Sequence, residues 1–213
     1  MNWLNRFLSG RAEIPMRPSQ RERLAAWQEM ESADLGRSHF ETRYVVVNTE
    51  ASGLNLEQDR LLAVAAVAVE ERALAPRAAY LANLDPDPAE ALLGLLEFAG
   101  RAPLVVFHGA FNRTHLERAT AQYLGVEPQA HWLDLYWLLP SLQPELSAHP
   151  LRLGDWMARA GVDTFLRHHA LGDAWAISLL FLKALARATT MGMGSPRDLM
   201  EAEHTFRQLR ATF

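Results

Sequence analysis

The chain contains no cysteine, which excludes disulfide staples and thiolate metal sites. It has no basic excess either. Its 21 Lys and Arg against 25 Asp and Glu leave a net charge of −4 and a pI near 6.1, so the polycationic surface that grips long nucleic acids is not expected. No apolar run approaches the roughly 20 residues of a membrane span. The N-terminus lacks the apolar core and small-residue cleavage site of a secretory signal, and no tandem repeat or long low-complexity tract is present. A cytoplasmic protein is the expectation. What the chain does have is 213 residues, 49% of them hydrophobic, enough for one α/β domain with an appendage.

Two units are expected: an N-terminal helical extension over residues 1–40 and a main domain over 41–213. Within 1–17, Trp3, Leu4, Phe7 and Leu8 share one helical face with Arg6 and Arg11 nearby, which suits a short packing arm or a partner-docking helix. A helix is predicted over 19–33, with Ser19 and Glu22 as a capping box and Leu24, Trp27 and Met30 as its apolar stripe. Strands are predicted at 43–48, 60–70 and 73–83, joined by short turns as in a meander. A helix over 89–100 follows, then a core strand at 103–107, a helix over 111–124, a short strand at 132–135 running into a helix that ends near Pro140, and helices over 151–160, 168–189 and 196–210. That order gives a mixed sheet flanked by helices. The tryptophans at 132, 137, 156 and 175 read as core anchors rather than base-stacking platforms.

Three stretches carry chemistry-bearing residues. The first is Val47-Asn48-Thr49-Glu50-Ala51-Ser52-Gly53-Leu54, where a β-branched strand ends in polar residues. Asn48 and Glu50 lie two apart and so share a strand face, and an acid at the end of a core strand is costly unless a cation or donor meets it. The second is His108-Gly109-Ala110-Phe111-Asn112, between a strand and a helix. The third is Arg167-His168-His169-Ala170-Leu171-Gly172-Asp173-Ala174, which opens a helix rich in Ala and Leu.

In this order and spacing the three stretches resemble the motifs of the DEDDh 3′–5′ exonucleases, the family that includes the proofreading epsilon subunit of bacterial DNA polymerase III. The resemblance covers about residues 43–188. It implies a ribonuclease-H-like exonuclease fold and hydrolysis of terminal phosphodiesters with Mg²⁺ or Mn²⁺. It assigns His168 as general base and Glu50 to the catalytic centre. The metal positions fall on Asn48, Glu50, Asn112 and Asp173, and substrate contacts on Thr49, Ala51, Gly53, Leu54, His108 and Phe111. His169 falls at a variable position, and Asp134 is not a metal ligand in that family.

The sequence departs from the pattern where charge matters most. The first motif normally reads Asp-Thr-Glu and the second ends in Asp, whereas Asn48 and Asn112 stand in those places. Two ions about 3.5–4 Å apart carry out this chemistry, and Mg²⁺ prefers charged oxygen ligands. An amide has one oxygen and no charge, so it cannot bridge two ions. One charge pair at ~4 Å is worth roughly 4 kcal/mol at an effective dielectric of 20. The expected function is therefore binding of nucleic-acid 3′ ends or nucleotides with weak or absent hydrolysis and weak or absent metal. The alternatives are an active metal-dependent 3′–5′ exonuclease on DNA or RNA ends, with weakened metal binding or a Mn²⁺ preference, and a protein-interaction module that docks a partner through its N-terminal arm. The asparagines arise either as engineered Asp→Asn changes or by natural decay. Ala51, Gly109 and the short connection over 84–104 are not changes made by design, and they favour natural divergence.

Overall fold

The computed structural model describes residues 16–56 and 58–211. The arm proposed for residues 1–17 lies outside this range except for Met16 and Arg17. Helix α1 (Pro18–Gln28) leads to three antiparallel strands, β1 (Tyr44–Ala51), β2 (Leu61–Glu70) and β3 (Ala73–Asn83). Then come α2 (Pro88–Ala99), β4 (Leu104–Val106), α3 (Gly109–Leu124), β5 (Trp132–Asp134), α4 (Leu135–Leu142), α5 (Leu153–Ala160), α6 (Ala170–Thr190) and α7 (Pro196–Ala211). The sheet order is β3-β2-β1-β4-β5. β1 pairs antiparallel with β2 and parallel with β4, and β4 parallel with β5.

β1 is central and buried on both faces, which is why Tyr44 to Val47 read as an unbroken apolar run. Its alternation feeds two layers. Tyr44 and Val46 join the core under α4–α7, and Val45 and Val47 the core under α1–α3. β2 alternates likewise. Val64 and Ala66 face the second layer, while Ala63, Ala65 and Val67 meet Ala170 and Ala174 of α6. Small residues on both sides let the start of α6 come close to the strand.

The expected element order is observed, with shifted boundaries. α1 starts at Pro18, and its cap is the Gln20 side chain accepting from the Arg17 amide at 2.9 Å rather than a Ser19–Glu22 box. It stops at Gln28, because its buried stripe ends at Trp27 while Met30 is exposed. α1 is fastened to α2: the Arg23 fork meets Glu97 and Glu90, Trp27 Nε1 donates to the Gly100 carbonyl at 3.0 Å, and Arg101 stacks on Trp27 at 3.8 Å. β1 continues through Glu50, so Asn48 and Glu50 are strand residues. α6 begins at Ala170, two residues after His168, because His168 is left-handed (φ 57°) and only the extended His169 caps the helix. Among the described residues no helix is long and apolar enough to cross a membrane.

Candidate functional site

The alternation along β1 decides what each motif residue meets. Asn48 lies opposite Ala65 and Glu50 opposite Ala63, two of the alanines that α6 covers. Asn48 accordingly reaches α6, its Nδ2 donating to the Ala170 carbonyl at 3.3 Å. Thr49 points to the other layer and meets α3. There the Asn112 Oδ1 accepts from both the Thr49 amide and the Thr49 hydroxyl, each at 2.9 Å. The Asn112 Nδ2 donates to the Phe107 carbonyl at 2.8 Å. β1 thus ties the second and third motifs together at the carboxyl ends of β1 and β4.

The charged members are disposed differently. Asp173, in the first turn of α6, is held by Arg167, whose Nη1 meets its Oδ1 at 2.6 Å. Arg167 comes from the loop just before α6. That loop lies against the helix, with the Thr164 hydroxyl donating to the Gly172 carbonyl at 2.6 Å. Glu50 Oε1 is buried and has no hydrogen-bond partner among the described residues. His168 is exposed.

These side chains do not fit a two-ion centre. Asn112 has its Oδ1 and one Nδ2 hydrogen engaged in bonds that crosslink β1, β4 and α3. Asn48 supplies a donor to a carbonyl. Asp173 is already neutralised by a guanidinium. Glu50 Oε1 is a buried acceptor without a partner among the described residues. Among the described residues no three His, Asp or Glu side chains form a group that could hold a metal ion. Arg167 had no sequence signal, since nothing in the motif indicates that a residue six positions upstream folds back onto Asp173.

The residues assigned to substrate contact scatter. Thr49 is buried under Asn112, and Ala51 ends β1 opposite Leu61 after a register shift. Gly53 sits against the Asp59 carboxylate, so closely that a Cβ would overlap it. Leu54 is 87% exposed. Phe111 packs on His115 with ring centroids 4.6 Å apart. His108 is left-handed (φ 64°) and turns its ring edge-to-face onto Tyr136 at 5.1 Å.

That direction leads to a second place that the sequence left unmarked. A cavity of about 270 Å³ is lined by His108, Arg113, Trp132, Asp134, Trp137 and Glu203 among others. None of Asn48, Glu50, His168 or Asp173 lines it. Asp134 accepts from the amides of His108 (2.9 Å), Gly109 (2.7 Å) and Tyr136 (3.0 Å), so one carboxylate caps the starts of both α3 and α4. Burial pushes its carboxyl up, against the pull of those three amides. Glu203 on α7, 9% exposed, is pushed up to about 7, first by burial and then by the charge of Asp134.

This shift fixes the sign of a pH effect. Folded Glu203 holds its proton more tightly than the unfolded side chain near 4.5. The folded state is therefore penalised as pH rises through that interval, and most above pH 7. Glu203→Gln is expected to stabilise the protein by about 3 kcal/mol at pH 8 and to change little at pH 4. Urea denaturation at the two pH values checks this; equal effects at both would show that ionisation is not the cause.

No family model and no curated protein sequence matches the chain. Solved structures do. E. coli exonuclease I in complex with a dT13 oligonucleotide superposes with a TM-score of 0.53 at 13% identity, over 70% of this chain and 42% of that one. The nuclease domain of 3′hExo, a DEDDh family member bound to rAMP, gives a TM-score of 0.50 at 14% identity, over 70% of this chain and 94% of that domain. The zinc-bound E. coli ExoI–ssDNA complex gives 0.50 at 14% identity, over 71% and 42%. The chain spans about two fifths of exonuclease I. With a mixed five-stranded sheet in this order and helices on both faces, the fold is the ribonuclease-H-like exonuclease fold.

Proposed function

We propose that the protein binds nucleic-acid 3′ ends or nucleotides at the carboxyl ends of β1 and β4, beside the start of α6, and that it hydrolyses them weakly or not at all. The reading rests on the fold, and on solved structures of that fold that hold an oligonucleotide or rAMP. For the loss of hydrolysis the supporting observation is the fate of the third-motif acid. Asp173 is ion-paired to Arg167 at 2.6 Å with its side chain 16% exposed, while Asn112 spends its amide on the backbone and on Thr49. Mg²⁺ or Mn²⁺ would meet a buried Glu50 Oε1 and, at Asp173, a carboxylate whose charge Arg167 already offsets. A net charge of −4 suits recognition of an end or a single nucleotide better than tight binding along a polymer.

Fluorescence anisotropy with 3′-hydroxyl single-stranded DNA and RNA, in Mg²⁺ and in EDTA, tests the binding half. Affinities within about threefold of each other are expected, because Arg167 already occupies Asp173 and binding then does not depend on an ion there. No binding in either buffer, or binding only with metal, contradicts the reading.

A further inference from the structure

We propose that the cavity between β5 and the starts of α3 and α4, roofed by α7, is a nucleobase pocket that takes one unstacked purine or pyrimidine. The ligand class rests on the function proposed above, but the residues are a separate set.

The cavity of about 270 Å³ falls just below the roughly 300–1,000 Å³ of sites for drug-sized ligands, a size suited to one flat ring with part of its sugar. Its walls are aromatic: Trp132, Tyr136 and Trp137 all line it. Each tryptophan carries a guanidinium at a distance, Arg113 at 5.9 Å from Trp132 and Arg207 at 6.0 Å from Trp137. Closed stacking in the same protein brings Arg101 to 3.8 Å from Trp27. A ring sandwiched between guanidinium and indole needs about 7 Å, twice the ~3.5 Å contact distance. The Arg207–Trp137 pair therefore stands most of the way to the opening a base requires.

The polar groups suit a base edge. Asp134 has both oxygens committed to backbone amides, which leaves recognition to Glu203 and to Trp132, whose Nε1 is buried without a partner among the described residues. Glu203 is 9% exposed and makes no ion pair among the described residues. Near neutral pH its carboxyl retains part of its proton, and with one oxygen accepting from the Asp134 amide the other can donate to or accept from a base edge. The charged and titratable groups lining the same cavity are Asp134, His108, Arg113 and Arg207. Arg113 is paired with Glu117 at 2.7 Å. Arg207 is exposed and forms no ion pair among the described residues, so it stands available for a phosphate at the mouth.

The intact chain in EDTA is titrated with AMP, CMP and ribose 5-phosphate, read by tryptophan fluorescence and calorimetry, with a short single-stranded DNA as competitor. AMP and CMP are expected to bind and quench fluorescence, and ribose 5-phosphate to do neither. Glu203→Leu and Arg207→Gln should each weaken AMP binding about tenfold or more, and Arg37→Gln, at an exposed position that lines neither site, should leave it unchanged. Arg207 is at the surface, so its variant carries the test if Glu203→Leu fails to fold. Displacement of AMP by the strand identifies a base of a strand as the occupant, and no displacement identifies free nucleotide; both support a nucleobase pocket. AMP affinity unchanged in Arg207→Gln, or ribose 5-phosphate binding as tightly as AMP, overturns it. If strands bind and are lost in Glu50→Gln while no nucleotide responds to Arg207→Gln or Glu203→Leu, the pocket falls and the proposed function stands. If neither strands nor nucleotides bind, both fall.

Discussion

Asn112→Asp is expected to destabilise the protein by roughly 2–4 kcal/mol at pH 8, although it restores the carboxylate that the exonuclease motif calls for. The Asn112 Nδ2 donates to the Phe107 carbonyl at 2.8 Å. An ionised carboxylate has no hydrogen to give, and would set a second acceptor against that carbonyl in a side chain that is 5% exposed. Leaving a buried acceptor unpaired costs about 1–3 kcal/mol, and more for a charged group. The two donors from Thr49 offset part of this. Once protonated, the carboxyl of that variant would donate to Phe107 again, so the loss should shrink as pH falls. Asn112→Ala strands the Thr49 amide and the Phe107 carbonyl together and should cost at least as much, without the pH dependence. Urea denaturation of the two variants at pH 5 and pH 8 separates these outcomes. An aspartate variant as stable as the parent at pH 8 would show that this amide is not the crosslink described.

Gly172→Ala should have an effect of similar size on a different part of the site. A Cβ on Gly172 would fall inside van der Waals contact of the Leu166 carbonyl oxygen, a backbone atom that cannot swing away alone. The loop over 164–169 must then lift from α6, losing the Thr164–Gly172 hydrogen bond and the placement of Arg167 on Asp173. Overpacking of this kind costs about 1–3 kcal/mol, occasionally more. Because α6 is otherwise anchored on the β2 alanines, the loss should be local. Hydrogen exchange is expected to speed up over 164–173 and stay slow in β1 and β2. Uniformly faster exchange would mean that the loop is integral to the core.

Much of this architecture is legible in the chain. The unbroken apolar run at Tyr44–Val47 marks a strand buried on both faces, and the Ala/Leu-rich stretch after Asp173 marks the long helix, because burial writes itself into local periodicity. The ends of elements are less legible. Met30 continues a helical stripe in sequence, but Trp27 already reaches the core edge beneath Gly100. The site was half visible. Motif spacing pointed to Asn48, Glu50, Asn112 and Asp173, and the β1 alternation does join the motifs through Asn48–Ala170 and Thr49–Asn112. Spacing carries no information on partners set by loop conformation, so the Arg167–Asp173 pair was not readable. Nor was Glu203, which lies among the polar residues of a surface helix and becomes buried only because α7 covers β5.

Timed digestion of 3′-end-labelled single-stranded DNA and RNA in Mg²⁺ and in Mn²⁺ bears most directly on the claim that an exonuclease fold here lacks a working two-ion centre. No shortening beyond the protein-free control is expected in either metal, because Asp173 is neutralised from within the chain and two of the four ligand positions hold amides. Stepwise loss of 3′ nucleotides that disappears in Glu50→Gln would contradict it.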